Sequence, residues 1–291
     1  MSDVSVVVCT RNRPELLGRA LASLNGQTLD RSRFQVIVVD NGDGSGEEVA
    51  QAAKVDIVLR ERSPGLSRSR NAGWRAAKTS VVAFLDDDAE AAPEWLERAV
   101  TLLSTSGAGA VGGPILPLYD APPPRWFRDE YEVRTWGGAE RPLAPGETLS
   151  GSNLLIDRGL LAEVGGFDER LGMSGDRVAV GEESALFERL WERSDIAVVY
   201  SPHIVVRHRV AAFKTTVTYQ LRRSAASGEA WAIRQNLGGA ARVTRVVLDG
   251  GMAIALTLRA LARFRRPPEQ WAVEEIGRVA ARVGSLRGAL H

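Results

Sequence analysis

The runs "VSVVVCT" (Val4 to Thr10) and "FQVIVVD" (Phe34 to Asp40) are rich in β-branched residues and show no polar–apolar alternation. A strand wetted on one face alternates. A strand buried on both faces does not, and such burial is the condition of a parallel sheet covered by helices. "VDIVLR" and "SVVAFLD" repeat the pattern further along the chain. Helix-period segments separate these runs. Pro14 suits a first helical position, and Leu16, Leu17, Ala20, Leu21 and Leu24 follow at helical spacing. A short helix is predicted around Glu47 to Ala53. "SPGLSRSRNAGWRAA" reads as a loop entering a helix, and Pro93 opens a helix predicted to run through Leu103. Strands alternating with helices over short connections predict an α/β sheet with helices on both faces.

From Pro114 to Pro145 neither period is present. Trp126, Phe127, Tyr131 and Trp136 make this proline-rich stretch a poor solvated spacer, so a binding loop is expected there. Regular patterning returns with "GSNLLIDRGLLAEVGGFDERLG", the helical "GEESALFERLWERS" and two short strands in "IAVVYSPHIVVRHRV". Two or three helices are predicted from Phe213 to His291. On the middle one, Ile254, Leu258 and Leu261 share a face roughly opposite Arg259, Arg263 and Arg266. From Thr216 onward twelve arginines face five acids, while the whole chain of 291 residues carries a net charge of only +1. The tail is therefore a separate electrostatic object. The chain as a whole has no global attraction to nucleic acid.

The lone cysteine, Cys9, excludes a disulfide framework and fits a reducing setting. No basic-then-apolar leader pattern opens the chain, and no apolar stretch reaches the ~18 residues of a membrane span. A cytoplasmic protein is expected. Peripheral contact with the inner membrane face through the C-terminal helices is compatible with it, and so is ordinary packing of the tail with its arginines solvated. The oligomeric state is open.

In open α/β sheets ligands bind beyond the carboxyl ends of the strands. Thr10, Asp40 and the cluster Asp86, Asp87 and Asp88 all stand at such ends. Three adjacent carboxylates repel one another unless water or a cation screens them. Asp86 and Asp88, at i and i+2, form the carboxylate pair that Mg²⁺ or Mn²⁺ prefers when bridging a phosphate. Asp40 can receive the ring N–H of a base, or close an Asx turn in "DNGDG". Arg68 and Arg70 suit phosphate oxygens. Glu182 and Glu183 either complement a helix N-terminus or supply a general base. His208 is a metal ligand or a plain strand-end histidine. No glycine-rich phosphate loop of either nucleotide-binding type follows the first strand.

Taken in order, "VSVVVCTRNRPELLGRALASL", "VIVVDNGD", "GLSRSRNAG", "FLDDDAEAAPEWL", "GSNLLIDRGLLAEVGGFDERLG", "GEESALFERL" and "PHIVVRH" resemble the family 2 (GT2) glycosyltransferases from about Val4 to Val210. The resemblance implies a GT-A fold: a Rossmann-like mixed sheet flanked by helices, here with an α-helical C-terminal extension. It implies a catalytic domain over 1–212, with a nucleotide-sugar half to about 113 and an acceptor half from about 114, followed by an arginine-rich helical region over 213–291. The implied reaction is an inverting transfer from a nucleotide-diphosphate sugar, UDP or dTDP, to a glycan, lipid-linked or small-molecule hydroxyl. By the same resemblance Thr10 and Arg13 line the nucleotide pocket, Asp40 reads the base, and Arg70 lies near the donor. Asp88 is the direct metal ligand, with Asp86 or Asp87 toward ribose. Asp86 and His208 are the further metal positions. Glu183 is the base, with Glu182 as its alternative, because this chain has Gly-Glu-Glu where the family commonly has Gly-Glu-Asp. Trp126, Tyr131 and Trp136 form the acceptor loop. Two other readings are a catalytically silent nucleotide-sugar-binding protein and a sugar nucleotidyltransferase on a related core.

Overall fold

The structure is a computed structural model, and it describes residues 3–175, 177–193, 195–236, 248–256 and 268–290. Its main sheet begins with four parallel strands: β1 (Val4–Thr10), β2 (Phe34–Asp40), β3 (Ile57–Arg60) and β4 (Val81–Asp86). With β6 (Ala110–Gly112), β8 (Arg141–Pro142), β9 (Leu154–Asp157) and β10 (Val198–Tyr200), the order is β3-β2-β1-β4-β9-β6-β10-β8. β9 runs antiparallel to both β4 and β6, which makes the sheet mixed.

All residues of β1 are buried, as an unalternating apolar run requires. Alternate residues serve opposite faces. Val4, Val6 and Val8 pack with Leu17 and Leu21 of α1 (Pro14–Asn25) and with Trp95 and Leu96 of α4 (Trp95–Ser106). Val7 and Cys9 pack on the other side with Ile37, Val39, Trp74 of α3 (Leu66–Ala76) and Phe187 of α6 (Glu182–Trp191). Full burial of each such side chain contributes about 1.5–3 kcal/mol.

Pro14 opens α1 as predicted. The helix predicted to open at Pro93 begins instead at Trp95. The residues before it form β5 (Ala89–Ala91), which pairs with β11 (Val206–Val210), itself paired with β7 (Ile115–Tyr119) in a second, three-stranded sheet. So the stretch after Pro114 is less irregular than its composition suggested. Pro117 is tolerated because β7 is an edge strand.

Contacts divide the chain into two units. The first comprises Met1–Leu118, Glu132–Arg170 and Glu182–Arg209; the second comprises Tyr119–Tyr131, Leu171–Gly181 and Val210–His291. Within the second, α7 (Val217–Gln235) packs along the helix Gly277–Leu290 through small residues. A Cβ on Gly284 would stand 1.8 Å from the Ala225 carbonyl oxygen, so only glycine permits this approach. Two of the tail arginines find acids inside their own unit: Arg278 pairs with Glu275 at 2.9 Å and Arg282 with buried Asp249 at 3.0 Å. Residues 248–256 are helical and include Ile254. Leu258, Arg259, Leu261, Arg263 and Arg266 of the predicted middle helix lie outside the described residues. Among the described residues no helix is long and apolar enough to cross a membrane.

Candidate active site

Parallel strands in register end along one edge. Thr10 stands opposite Asp40, and Cys9 opposite Asp86. The rim expected from the sequence is thus a physical edge of the main sheet.

Asp87 and Asp88 occupy the turn between β4 and β5; they share Arg13, and each has a further partner of its own, while Asp86 faces Arg70. Asp87 is buried; its Oδ2 accepts from the Thr10 hydroxyl at 2.8 Å and its Oδ1 from Arg13 at 3.3 Å. Burial, followed by repulsion from Asp88, pushes its pKa up to about 6 despite Arg13 and Thr10. Asp88 lies 3.4 Å from Arg13 through Oδ2 and 3.0 Å from His208 Nε2 through Oδ1. His208 arrives from β11, whose antiparallel pairing sets it opposite Ala89; the Arg209 N–H donates to the Asp88 carbonyl at 2.8 Å. One ligand atom from each of Asp86, Asp88 and His208 lies within 4.8 Å of the other two. Two carboxylates and an imidazole make a donor set that suits Mn²⁺ or Mg²⁺.

A second acidic group surrounds Arg70, which is buried in α3. Its NH2 donates to Asp86 Oδ1 at 2.9 Å and its NH1 to Glu182 Oε1 at 3.2 Å, with Glu183 Oε1 at 3.7 Å. The Phe167 ring covers the guanidinium at 5.3 Å. Glu183 Oε1 also accepts from the Gly151 N–H at 3.0 Å. A Cβ on residue 151 would stand 2.7 Å from the guanidinium, so glycine there lets Arg70 keep its place among the acids. Glu182 is 5% exposed, and burial followed by repulsion from Glu183 raises its pKa to about 8, with Arg70 opposing. Glu183 keeps a side chain 24% exposed.

Asp40 is fully buried and bonded to backbone. Its Oδ1 accepts from the Gly42 N–H at 2.7 Å; its Oδ2 accepts from Gly46 at 2.9 Å and Glu47 at 3.1 Å, in the first turn of α2 (Ser45–Ala52). Arg68 pairs with Glu169 at 3.3 Å, apart from the acids that Arg70 serves. The three aromatic loop residues are divided between the units. Trp126 and Tyr131 cluster around Phe127 in the second, with ring centroids 5.5 and 5.2 Å from it. Trp136 belongs to the first and donates its indole N–H to the Thr148 carbonyl at 2.8 Å.

No role was assigned from sequence to Gly151, Ser152 and Asn153, yet they brace the site. Ser152 Oγ accepts from the Asp86 N–H at 3.3 Å. Buried Asn153 accepts from the Trp95 indole at 2.8 Å and donates to the carbonyls of Pro114 and Ile204 at 3.1 and 2.7 Å. The small, polar "GSN" immediately before the apolar β9 was the available signal.

Comparison with known proteins follows the same segments. The family model described as Glycosyl transferase family 2 matches residues 5–165. A glucosyl-dolichyl phosphate glucuronosyltransferase of Haloferax volcanii is 32% identical over 237 residues, covering 76% of this chain and 74% of that protein. The succinoglycan biosynthesis protein ExoM of Rhizobium meliloti is 29% identical, covering 78% of this chain and 73% of its own length. Among solved structures, a Pyrobaculum calidifontis mannosyltransferase in complex with GDP-Man and Mn²⁺ superposes with a TM-score of 0.64 at 19% identity. It covers 97% of this chain and 86% of that one. GalNAc-T7 with UDP, GalNAc and Mn²⁺ gives 0.59 at 19% identity over 82% of this chain and 52% of its own. At these identities the likeness establishes the fold, a mixed GT-A sheet flanked by helices.

Proposed function

The chain belongs to glycosyl transferase family 2, and on that premise we propose that it moves a sugar from a nucleotide-diphosphate sugar to an acceptor hydroxyl by a single inverting displacement. The observation that carries this reading is the convergence of Asp86, Asp88 and His208 at the carboxyl edge of the sheet. Asp86, Asp88 and His208 would hold a divalent cation, which when bound would supply positive charge to offset that of the departing diphosphate. Arg13 and Thr10 hold Asp87 beside the pair, and Arg70 fixes Asp86, so both carboxylates are oriented before substrate arrives.

Glu183 is the base of this scheme. It is the more exposed acid of the pair, and the Gly151 N–H holds its orientation. It takes the acceptor hydroxyl proton as the oxygen attacks the anomeric carbon. The bond from that carbon to the diphosphate oxygen breaks, and its electron pair leaves with the nucleotide diphosphate. Attack opposite the leaving group inverts the anomeric configuration. Asp40 takes part through the turn it shapes with Gly42, Gly46 and Glu47, which presents the β2 end toward the base.

UDP or dTDP is the donor base of this reading. The acceptor is a lipid-linked or glycan hydroxyl, a class supported by the glucosyl-dolichyl phosphate in the Haloferax relative's name. Trp136, which lies in the same unit as the acids, is the aromatic that this reading keeps for the acceptor. For the arginine-rich tail of a cytoplasmic protein this reading keeps two roles, ordinary packing and peripheral contact with an anionic membrane face, and flotation with anionic liposomes separates them.

The central experiment is a thermal-shift panel of UDP, dTDP and GDP, with and without Mn²⁺, followed by nucleotide release from the matching sugar nucleotides. Stabilisation by UDP or dTDP that requires metal, together with release on adding acceptor, is the expected result. No shift from any nucleotide defeats the proposal, and metal-dependent binding without release leaves the silent binding protein.

A further inference from the structure

Three carboxylates share the Arg70 guanidinium: Asp86 at 2.9 Å, Glu182 at 3.2 Å and Glu183 at 3.7 Å. One cation cannot neutralise three anions, and a surplus negative charge is most costly where water is excluded. The three differ in access to water. The side chains of Asp86 and Glu183 are each 24% exposed, whereas that of Glu182 is 7% exposed. Their bonding differs too. Glu183 has a second donor in the Gly151 N–H, while Glu182 Oε2 is buried and, among the described residues, has no hydrogen-bond partner. An ionised carboxylate with one oxygen sealed and unbonded is the least stable arrangement available to this group. A carboxylic acid at Glu182 removes the surplus charge that is sealed from water, leaves the rest on the two more exposed acids, and keeps Oε1 as the acceptor for Arg70.

We propose that Glu182 is held as a neutral carboxylic acid and acts as a positioning residue, keeping Arg70 on Asp86 and leaving Glu183, the more exposed acid, to serve as the base. The inference deepens the reading above and rests on it for the role of Glu183. The charged groups that bear on Glu182 are Arg70 of α3, Asp86 at the end of β4 and Glu183 on its own helix. Cys9 of β1, also near Arg70, is kept as a thiol by burial and adds no charge. The two adjacent acids thus differ in access to water and in bonding, which gives the sealed one to holding a proton and the open one to meeting the acceptor. Ionising Glu182 draws the guanidinium from Asp86 toward itself, so the positioning fails at alkaline pH.

Infrared difference spectroscopy of the full chain against Glu182→Gln, without nucleotide or metal, reads the proton directly. The expected result is a protonated-carboxyl C=O band in the wild type near neutral pH. It is absent from the variant, and the wild type loses it as the pH rises through about 8. No difference band near neutral pH overturns the proposal. In kinetics, Glu182→Ala is expected to lower kcat on the order of 10- to 100-fold. Glu182→Gln, which keeps the neutral acceptor, recovers most of that loss and removes the alkaline fall in kcat. A Glu182→Gln enzyme no better than Glu182→Ala overturns the proposal as well. The infrared result does not depend on transfer, so absence of any transferase activity counts against the reaction scheme and leaves the proton assignment standing on its own measurement.

Discussion

Two acidic groups stand within one unit of this protein, and they are built differently. Asp87 and Asp88 are met from outside by Arg13, whose side chain is 42% exposed, with the His208 imidazole against Asp88. Glu182 and Glu183 close around Arg70, which is 2% exposed. Exposed charge is screened and cheap to rearrange; buried charge is neither. Asp87 and Asp88 are themselves buried, but their Arg13 partner is exposed and free to rearrange, which suits the first group to a cation that comes and goes with substrate. The second has its cation permanently in place and relieves its remaining repulsion by holding a proton. Asp86 touches both, one oxygen engaged by Arg70 while the carboxylate converges with Asp88 and His208. It is the point at which the two are coupled.

The comparison can be broken most sharply at Glu183. Glu183→Gln should lower kcat by about 10²- to 10⁴-fold while metal-dependent nucleotide binding, read by thermal shift, persists. Retained turnover would return the base role to Glu182 or to neither. Arg70→Ala should be the most damaging change to stability, by about 3–5 kcal/mol, because it removes the buried cation that Asp86, Glu182 and Glu183 share and leaves all three without their common donor. Chemical denaturation measures it, and a loss under about 1 kcal/mol would mean that Glu182 and Asp86 are solvated after all.

At the first group, Asp88→Ala should abolish the metal-dependent part of nucleotide stabilisation with little loss in the melting temperature of the free protein. Removing one of several mutually repelling carboxylates costs less than removing a sole buried cation. His208→Ala should weaken the same stabilisation by less, since it deletes a neutral ligand. The remaining test concerns pH. Glu182 binds its proton more tightly when folded, its pKa rising from 4.5 to about 8. Its contribution to stability is therefore complete below about pH 4.5 and is lost as the pH climbs toward about 8. The melting temperature should fall over that window, and Glu182→Gln should flatten the slope. Parallel slopes would show that other groups carry the dependence.

Much of the main sheet was legible in the sequence. Val4–Thr10 and Phe34–Asp40 form strands at the bounds their β-branched runs suggested, and Pro14 opens its helix. Those signals are local, carried by a residue's own shape and by near neighbours. The start of α4 was misread because Pro93 is equally at home ahead of a helix. β5 was missed because a three-residue strand has no period; only its pairing with β11 defines it.

The same division runs through the site. That carboxylates end the strands follows from the sequence alone, since Asp40 and Asp86 close apolar runs. What each carboxylate oxygen meets did not. His208 stands beside Asp88 because two antiparallel strands distant in sequence found one register, and Gly151 borders Arg70 because β9 pairs with β4. Asp40 is taken up by three backbone N–H groups, and Glu182 is sealed while its neighbour Glu183 is not. Sequence determines which groups can ionise. Burial and non-local contacts decide which of them do, because the cost of charge depends on the water and partners around it.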